Sequence, residues 1–217
     1  MDQVIQTIAL GAIPMIFAIT LHEAAHGYAA RHFGDLTAYQ QGRISLNPAR
    51  HIDPLGTIVL PALMLLMSGG RFAFGWAKPV PVNFGRLRNP KRDMFWVAAA
   101  GPGANLAMAL AWALVGRLAL EAPAGYFTTP LFGMALFGIR INMILMVLNL
   151  LPLPPLDGGR IAVSLLPHGL AWKFARIEPW GMWILVALMF TGVLSAIIGP
   201  IVSAGVGLIL GLFGLSY

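Results

Sequence analysis

The sequence predicts an all-α protein that crosses a lipid bilayer several times. Three observations carry that prediction. Of 217 residues, 58% are hydrophobic and 10% charged, whereas soluble domains carry about 25% charged residues. A water-soluble chain of this length has no means of hiding so much apolar surface. The apolar residues gather into runs of membrane-spanning length, separated by short polar stretches. The 25 glycines and 16 prolines suit closely packed or interrupted membrane helices. The length fits one integral membrane domain, 1–217, without an appended soluble domain.

The first predicted span is 4–30, with Pro14 as a kink point. The stretch 31–53 is polar, and Gly34-Asp35 and Asn47-Pro48 mark turns. Within it, 39–46 alternates enough to predict a short strand or hairpin arm. The segment 55–68 is apolar but contains Pro61 and is short of the roughly 20 residues a span needs. It is expected to dip into the bilayer and return, or to cross as a short span. The Pro-interrupted stretch 76–84 reads as an edge strand beside a bound peptide, or as a surface loop. Clear spans follow at 94–120 and 131–151. Gly101, Gly103, Ala104, Ala107 and Ala111 offer small surfaces for helix contact in the first of these. Pro152, Pro154 and Pro155 end the second, so 151–157 is expected to be extended. The uncharged 180–215 is either one long span or two divided at Gly199-Pro200, with a span at 180–198 and a further one at 200–215.

The net charge is +6, from 14 Lys and Arg against 8 Asp and Glu. The basic residues cluster between apolar runs, which marks cytoplasmic loops. No nucleic-acid motif accompanies them, so no nucleic acid partner is expected. Cysteine is absent, which excludes disulfides, thiolate ligands and a cysteine nucleophile. No basic n-region precedes the first apolar run, so that run is not expected to be a cleaved signal peptide.

The chemistry lies in that first run, at His22-Glu23-Ala24-Ala25-His26. Residues four apart share a helix face, so both imidazoles can reach one zinc ion. Glu23, between them, is placed to act as general base toward a metal-activated water. Ionisable groups at membrane depth are costly unless they bind or react. A catalytic zinc usually takes three protein ligands and leaves one position open. With cysteine absent and Glu23 better used as the base, Asp157 is the best third ligand. If 4–30 enters the cytoplasm, 94–120 leaves it and 131–151 returns. His22, His26 and Asp157 then share a depth near the cytoplasmic face. Asn149 is a candidate oxyanion or substrate contact, and Asn105 a polar contact between core helices. A metal transporter would need further polar residues along a path, and 180–215 supplies almost none. A pure metal-binding protein would have no need of Glu23.

These motifs resemble the site-2 protease family, the M50-like intramembrane zinc metalloproteases, in its small branch without PDZ or CBS domains. His22-Glu23-Ala24-Ala25-His26 resembles the family's first motif. Asn149 with Leu156-Asp157-Gly158-Gly159 resembles its second, and Gly101-Pro102-Gly103-Ala104-Asn105 its core-helix motif. The resemblance covers about 13–160. It implies a core of three transmembrane helices carrying one Zn2+ on His22, His26 and Asp157, with Glu23 as catalytic base. It also implies a transmembrane protein or peptide substrate and a multi-pass position in a prokaryotic cell membrane.

Overall fold

The computed structural model describes residues 2–67, 75–123 and 125–215. Helix α1 (Asp2–His32) carries Arg31 and His32 in its last turn, where cations meet the negative end of the helix dipole. It stops where Gly34 adopts a φ of 107°. The Gly34 and Asp35 N–H groups then return to the carbonyls of Arg31 and Ala30 at 3.2 and 2.9 Å, closing the end of the helix as a glycine cap does.

Short helices follow: α2 (Thr37–Gln40), a 3-10 turn at Pro48–His51, a π-helical turn at Pro54–Val59, and α3 (Leu60–Met67). The chain then builds the long helices α4 (Pro90–Glu121) and α5 (Thr128–Asn149). Pro90 occupies the first turn of α4, where its missing N–H costs nothing. The Asn89 N–H donates to Asp93 Oδ2 at 2.7 Å. The remaining helices are α6 (Asp157–Leu165), α7 (His168–Ala175), α8 (Glu178–Phe190) and α9 (Val193–Leu212). By length and composition, Ala9–His32, Pro90–Glu121, Thr128–Asn149 and Val193–Leu212 can each cross a membrane.

The core is formed by α1, α4 and α5, with α9 packed on the outer face of α5. Ala109 and Ala113 of α4 meet Ile139, Met143 and Val147 of α5, and Val202 and Ile209 of α9, with Leu215 beyond it, complete the cluster. Small residues allow this proximity. A Cβ built at Gly138 would lie 2.4 Å from the Trp112 ring, so only glycine lets α5 approach α4 there.

Several expectations are corrected. Among the described residues no strand forms. In place of a strand at 39–46, α2 ends in a turn at Gly42, whose φ is 62°, and the Arg43 N–H donates to the Ala38 carbonyl at 2.8 Å. Of the two readings of 76–84 the loop holds, since 76–83 has no regular secondary structure. Pro79 and Pro81 have no N–H to give a ladder, and the neighbouring donors turn inward. The Lys78 N–H goes to the His51 carbonyl at 2.9 Å, that of Val80 to Glu23 at 2.8 Å, and that of Asn83 to Asp35 at 2.6 Å. The segment 151–157 is a series of tight turns and not an extended run, with the Leu153 N–H on Leu151 and the Leu156 N–H on Leu153. The uncharged C-terminal stretch divides at Gly192 and not at Gly199-Pro200. Gly192 takes a φ of 76°, whereas Pro200 lies inside α9. The predicted span at 180–198 is therefore the 13-residue α8, about 20 Å long at 1.5 Å per residue, followed by the first turns of α9.

The predicted dip at 55–68 ends partly outside the described residues. Its flanks are tied together: the Trp76 N–H donates to the Gly56 carbonyl at 3.1 Å, and the Thr57 hydroxyl donates to the Trp76 carbonyl at 2.8 Å.

Candidate active site

His22 and His26 lie one turn apart on α1, and both are buried. Asp157 is the first residue of α6 and is also buried. The turns at 150–156 bring it back to α1, and they need the two glycines that follow it. A Cβ at Gly158 would lie 2.3 Å from the Leu150 and Leu151 carbonyl oxygens, and one at Gly159 would lie 2.4 Å from the Pro154 nitrogen.

The three side chains converge on one point. His22 Nε2 and His26 Nε2 are 3.1 Å apart, and Asp157 Oδ2 lies 3.2 Å from the first and 3.3 Å from the second. The outer nitrogens fix the ring tautomers. His22 Nδ1 donates to Asn105 Oδ1 at 2.6 Å, and His26 Nδ1 donates to the Val97 carbonyl at 2.7 Å. Both Nε2 atoms therefore present lone pairs, not hydrogens, to each other and to the carboxylate. Asp157 Oδ2 is buried with no hydrogen-bond donor. Three facing lone pairs at this distance repel unless a cation lies among them. The sides of the triangle also match the edge of a tetrahedron around zinc, about 3.3 Å for bonds of 2.0–2.1 Å. Two imidazoles and one carboxylate are a donor set that catalytic zinc accepts, so the residues fit the ion.

A buried relay orients the set. Asn142 donates to the Gly138 carbonyl at 2.8 Å, which leaves its Oδ1 to accept from Asn105 Nδ2 at 2.9 Å. Asn105 also donates to the Ala18 carbonyl at 3.2 Å. Its Oδ1 is thus the atom turned to His22. Partners of this kind hold a ligating ring in place and set its basicity. Gly101 gives the rings their room: a Cβ there would lie 2.4 Å from His26 Nε2 and 2.6 Å from His22 Cε1.

A cavity of ≈ 150 Å³ opens beside the triad, and its lining includes Glu23, Asn149, Val80, Phe84 and Arg160. Glu23 stands apart from the converging donors. Its Oε2 accepts the Val80 N–H at 2.8 Å. Asn149 donates to the Leu145 carbonyl at 3.0 Å, and its amide keeps a second N–H. Asp35 anchors the cover of the cavity, accepting the Thr37 and Asn83 N–H groups at 3.0 and 2.6 Å. Burial alone would raise the Asp35 pKa, but the bonds from Thr37 and Asn83 and the Arg86 charge hold it below the usual carboxylate range.

Known proteins resemble this chain where the site lies. Residues 119–192, which include Asn149 and Asp157, match the model of peptidase family M50. YwhC of Bacillus subtilis, named as a zinc metalloprotease, is 40% identical over 205 residues, covering 93% of this chain and 89% of its own. The chain belongs to peptidase family M50. Rip2 of Mycolicibacterium smegmatis, also named as a zinc metalloprotease, is 30% identical over 181 residues, covering 83% of this M50 chain and 66% of its own. Rip2 of Mycobacterium tuberculosis is 31% identical over 157 residues, covering 70% of this chain and 54% of its own. No solved structure matches the chain. This M50 member is a zinc metalloprotease with several apolar helices fit to cross a membrane.

Sequence reasoning named the residues of the triad, Glu23, Asn149 and Asn105. It placed Gly101 in helix packing, although its Cα faces both imidazoles. It missed the role of Asn142, whose signal was an amide in an apolar run. Val80 carried no signal, because a backbone N–H is common to every residue except proline.

Proposed function

We propose that this M50 peptidase cuts membrane-spanning protein segments within or beside the bilayer, at a site near the cytoplasmic face. The supporting observation is the joint placement of three converging donors and a separate carboxylate, Glu23, in one cavity among helices long enough to span a membrane. His22, His26 and Asp157 would hold the zinc. Bound there, zinc supplies Lewis acidity, which polarises a carbonyl and lowers the pKa of water.

The chain's own groups account for the remaining steps. Glu23 takes a proton from the attacking water and delivers it to the leaving amine. The Val80 N–H fixes one carboxylate oxygen and leaves the other free for this transfer. Asn149, on the cavity wall, offers its second amide N–H to the oxygen that gains charge as the carbonyl is attacked. The scissile bond must be extended to expose its carbonyl, and a substrate helix has to unwind locally to reach a cavity of this size.

The test is cleavage of membrane-spanning peptides by the purified protein in liposomes. New peptide ends should appear, vanish with a chelator and return with added zinc. Cleavage confined to soluble unfolded chains, with spanning peptides left whole, would overturn the assignment of substrate class.

A further inference from the structure

Arg140 is the thirteenth of the 22 residues of α5. At 1.5 Å per residue it lies about 18 Å from one end of the helix and about 14 Å from the other, near the middle of a hydrocarbon layer about 30 Å thick. It is exposed on the bundle surface. Among the described residues its guanidinium has no hydrogen bond, ion pair or aromatic partner. Arg117, toward the far end of α4, is by contrast paired with Glu121 at 2.7 Å. An intramembrane cation is retained at a cost and normally has a carboxylate or other acceptor to meet.

Arg140 opens into a groove of ≈ 540 Å³ between α5 and α9. Its α9 wall alternates Ser195, Gly199, Ser203 and Gly207 with the apolar Ile198, Val202, Val206 and Leu210. A Cβ at Gly199 or Gly207 would meet nothing within 4 Å, so this wall is low and unobstructed. Serine hydroxyls and bare backbone are surfaces that membrane helices use to approach one another. The groove thus offers one positive charge, two hydroxyls and close access.

We propose that this groove docks a membrane-spanning helix of another protein, one that carries Asp or Glu at mid-bilayer depth to pair with Arg140. A second copy of the chain does not supply that carboxylate. Of its eight acidic residues, Glu23 and Asp157 line the cavity beside the triad, and the others lie in loops or at helix ends. A lipid phosphate resides at the interface, farther than an arginine side chain reaches from this depth. The proposal rests on α5 and α9 lying in a membrane and is independent of the peptidase chemistry.

The test uses apolar single-span peptides of about 20 residues with Asp, Asn or Leu at the centre. Binding in phosphatidylcholine liposomes is read by energy transfer to a dye on a single cysteine placed by Leu212→Cys. The Asp peptide should bind roughly tenfold more tightly than the Leu peptide. Arg140→Gln should abolish the preference, and Arg140→Glu should transfer it to a peptide with a central Lys. Gly199→Leu should weaken the Asp peptide by filling the groove with Arg140 intact. Zinc content should be unchanged in all three variants, which reports that the fold survives. Equal binding of the Asp and Leu peptides, or a preference that survives Arg140→Gln, would overturn the proposal. So would, in liposomes that also contain phosphatidylglycerol, an enrichment of that lipid that depends on Arg140 while no peptide preference is seen.

Discussion

His22 Nδ1 lies 2.6 Å from Asn105 Oδ1, across the interface between α1 and α4. The amide is held in this orientation by its bonds to Ala18 and Asn142. The consequence is a defined tautomer of His22, with the Nε2 lone pair aimed at the point where His26 and Asp157 converge. Asn105→Leu should therefore lower zinc affinity by about 10–100-fold, measured by competition with a chromogenic chelator. Asn142→Leu, which leaves the His22 bond in place, should do so less. Equal zinc affinity in wild type and Asn105→Leu would show that His22 is oriented by other means.

Gly101→Ala should separate fold from metal. In a helix interior, alanine is more favourable than glycine by about 1 kcal/mol, so helicity should not fall. The new methyl group would press on both imidazoles, at 2.4 and 2.6 Å in the present geometry. Zinc occupancy and proteolysis should drop together. Gly103→Ala is the control on the same helix, since a Cβ there meets nothing within 4 Å, and it should keep its zinc. Full zinc in both variants would mean that the rings can shift without cost.

The long helices and the converging triad were legible because both rest on residue identity and helical period. A 3.6-residue turn places His22 above His26 whatever surrounds them. The elements that were misread or left open depend on backbone bonding partners. The stretch 76–84 reads by composition as either an edge strand or a surface loop. Its fate was decided by where the N–H groups of Lys78, Val80 and Asn83 go, and nothing in those residue names discloses a destination on His51, Glu23 or Asp35. The break at Gly192 was likewise hidden, since Gly199-Pro200 carries the stronger local breaker. Pro200 is tolerated in a membrane helix where neighbouring groups adjust, while a left-handed glycine ends the helix outright.

Glu23→Gln should leave the zinc and the fold in place and abolish turnover. Glutamine keeps an oxygen that can accept the Val80 N–H, so the covering segment stays where it is. It cannot take a proton from water at neutral pH. The rate should fall by roughly 10²–10⁴-fold, with metal content near wild type by elemental analysis. Loss of zinc from this variant would instead assign Glu23 to the coordination shell. Turnover at the wild-type rate would remove it from the mechanism.

The two basic loops should lie on one side of the membrane. Nine Lys and Arg residues fall in 31–53 and 70–93, three in the first and six in the second, and such residues favour the cytoplasm. The structure adds links between the loops. Asp35 holds the Asn83 N–H at 2.6 Å, and Arg43 donates to the Lys78 and Pro79 carbonyls, each at 3.2 Å. The flanks of the apolar segment between them meet at Gly56 and Trp76, so a chain that enters the bilayer at 54 is back at its point of entry by 76. The absence of native cysteine makes the test direct. Single cysteines introduced as Ser45→Cys and Asn83→Cys should both react with an impermeant maleimide in inside-out vesicles and in neither case from outside intact cells. Labelling from opposite faces would require 55–68 to cross completely, and would be incompatible with Asp35 and Asn83 remaining bonded in the membrane.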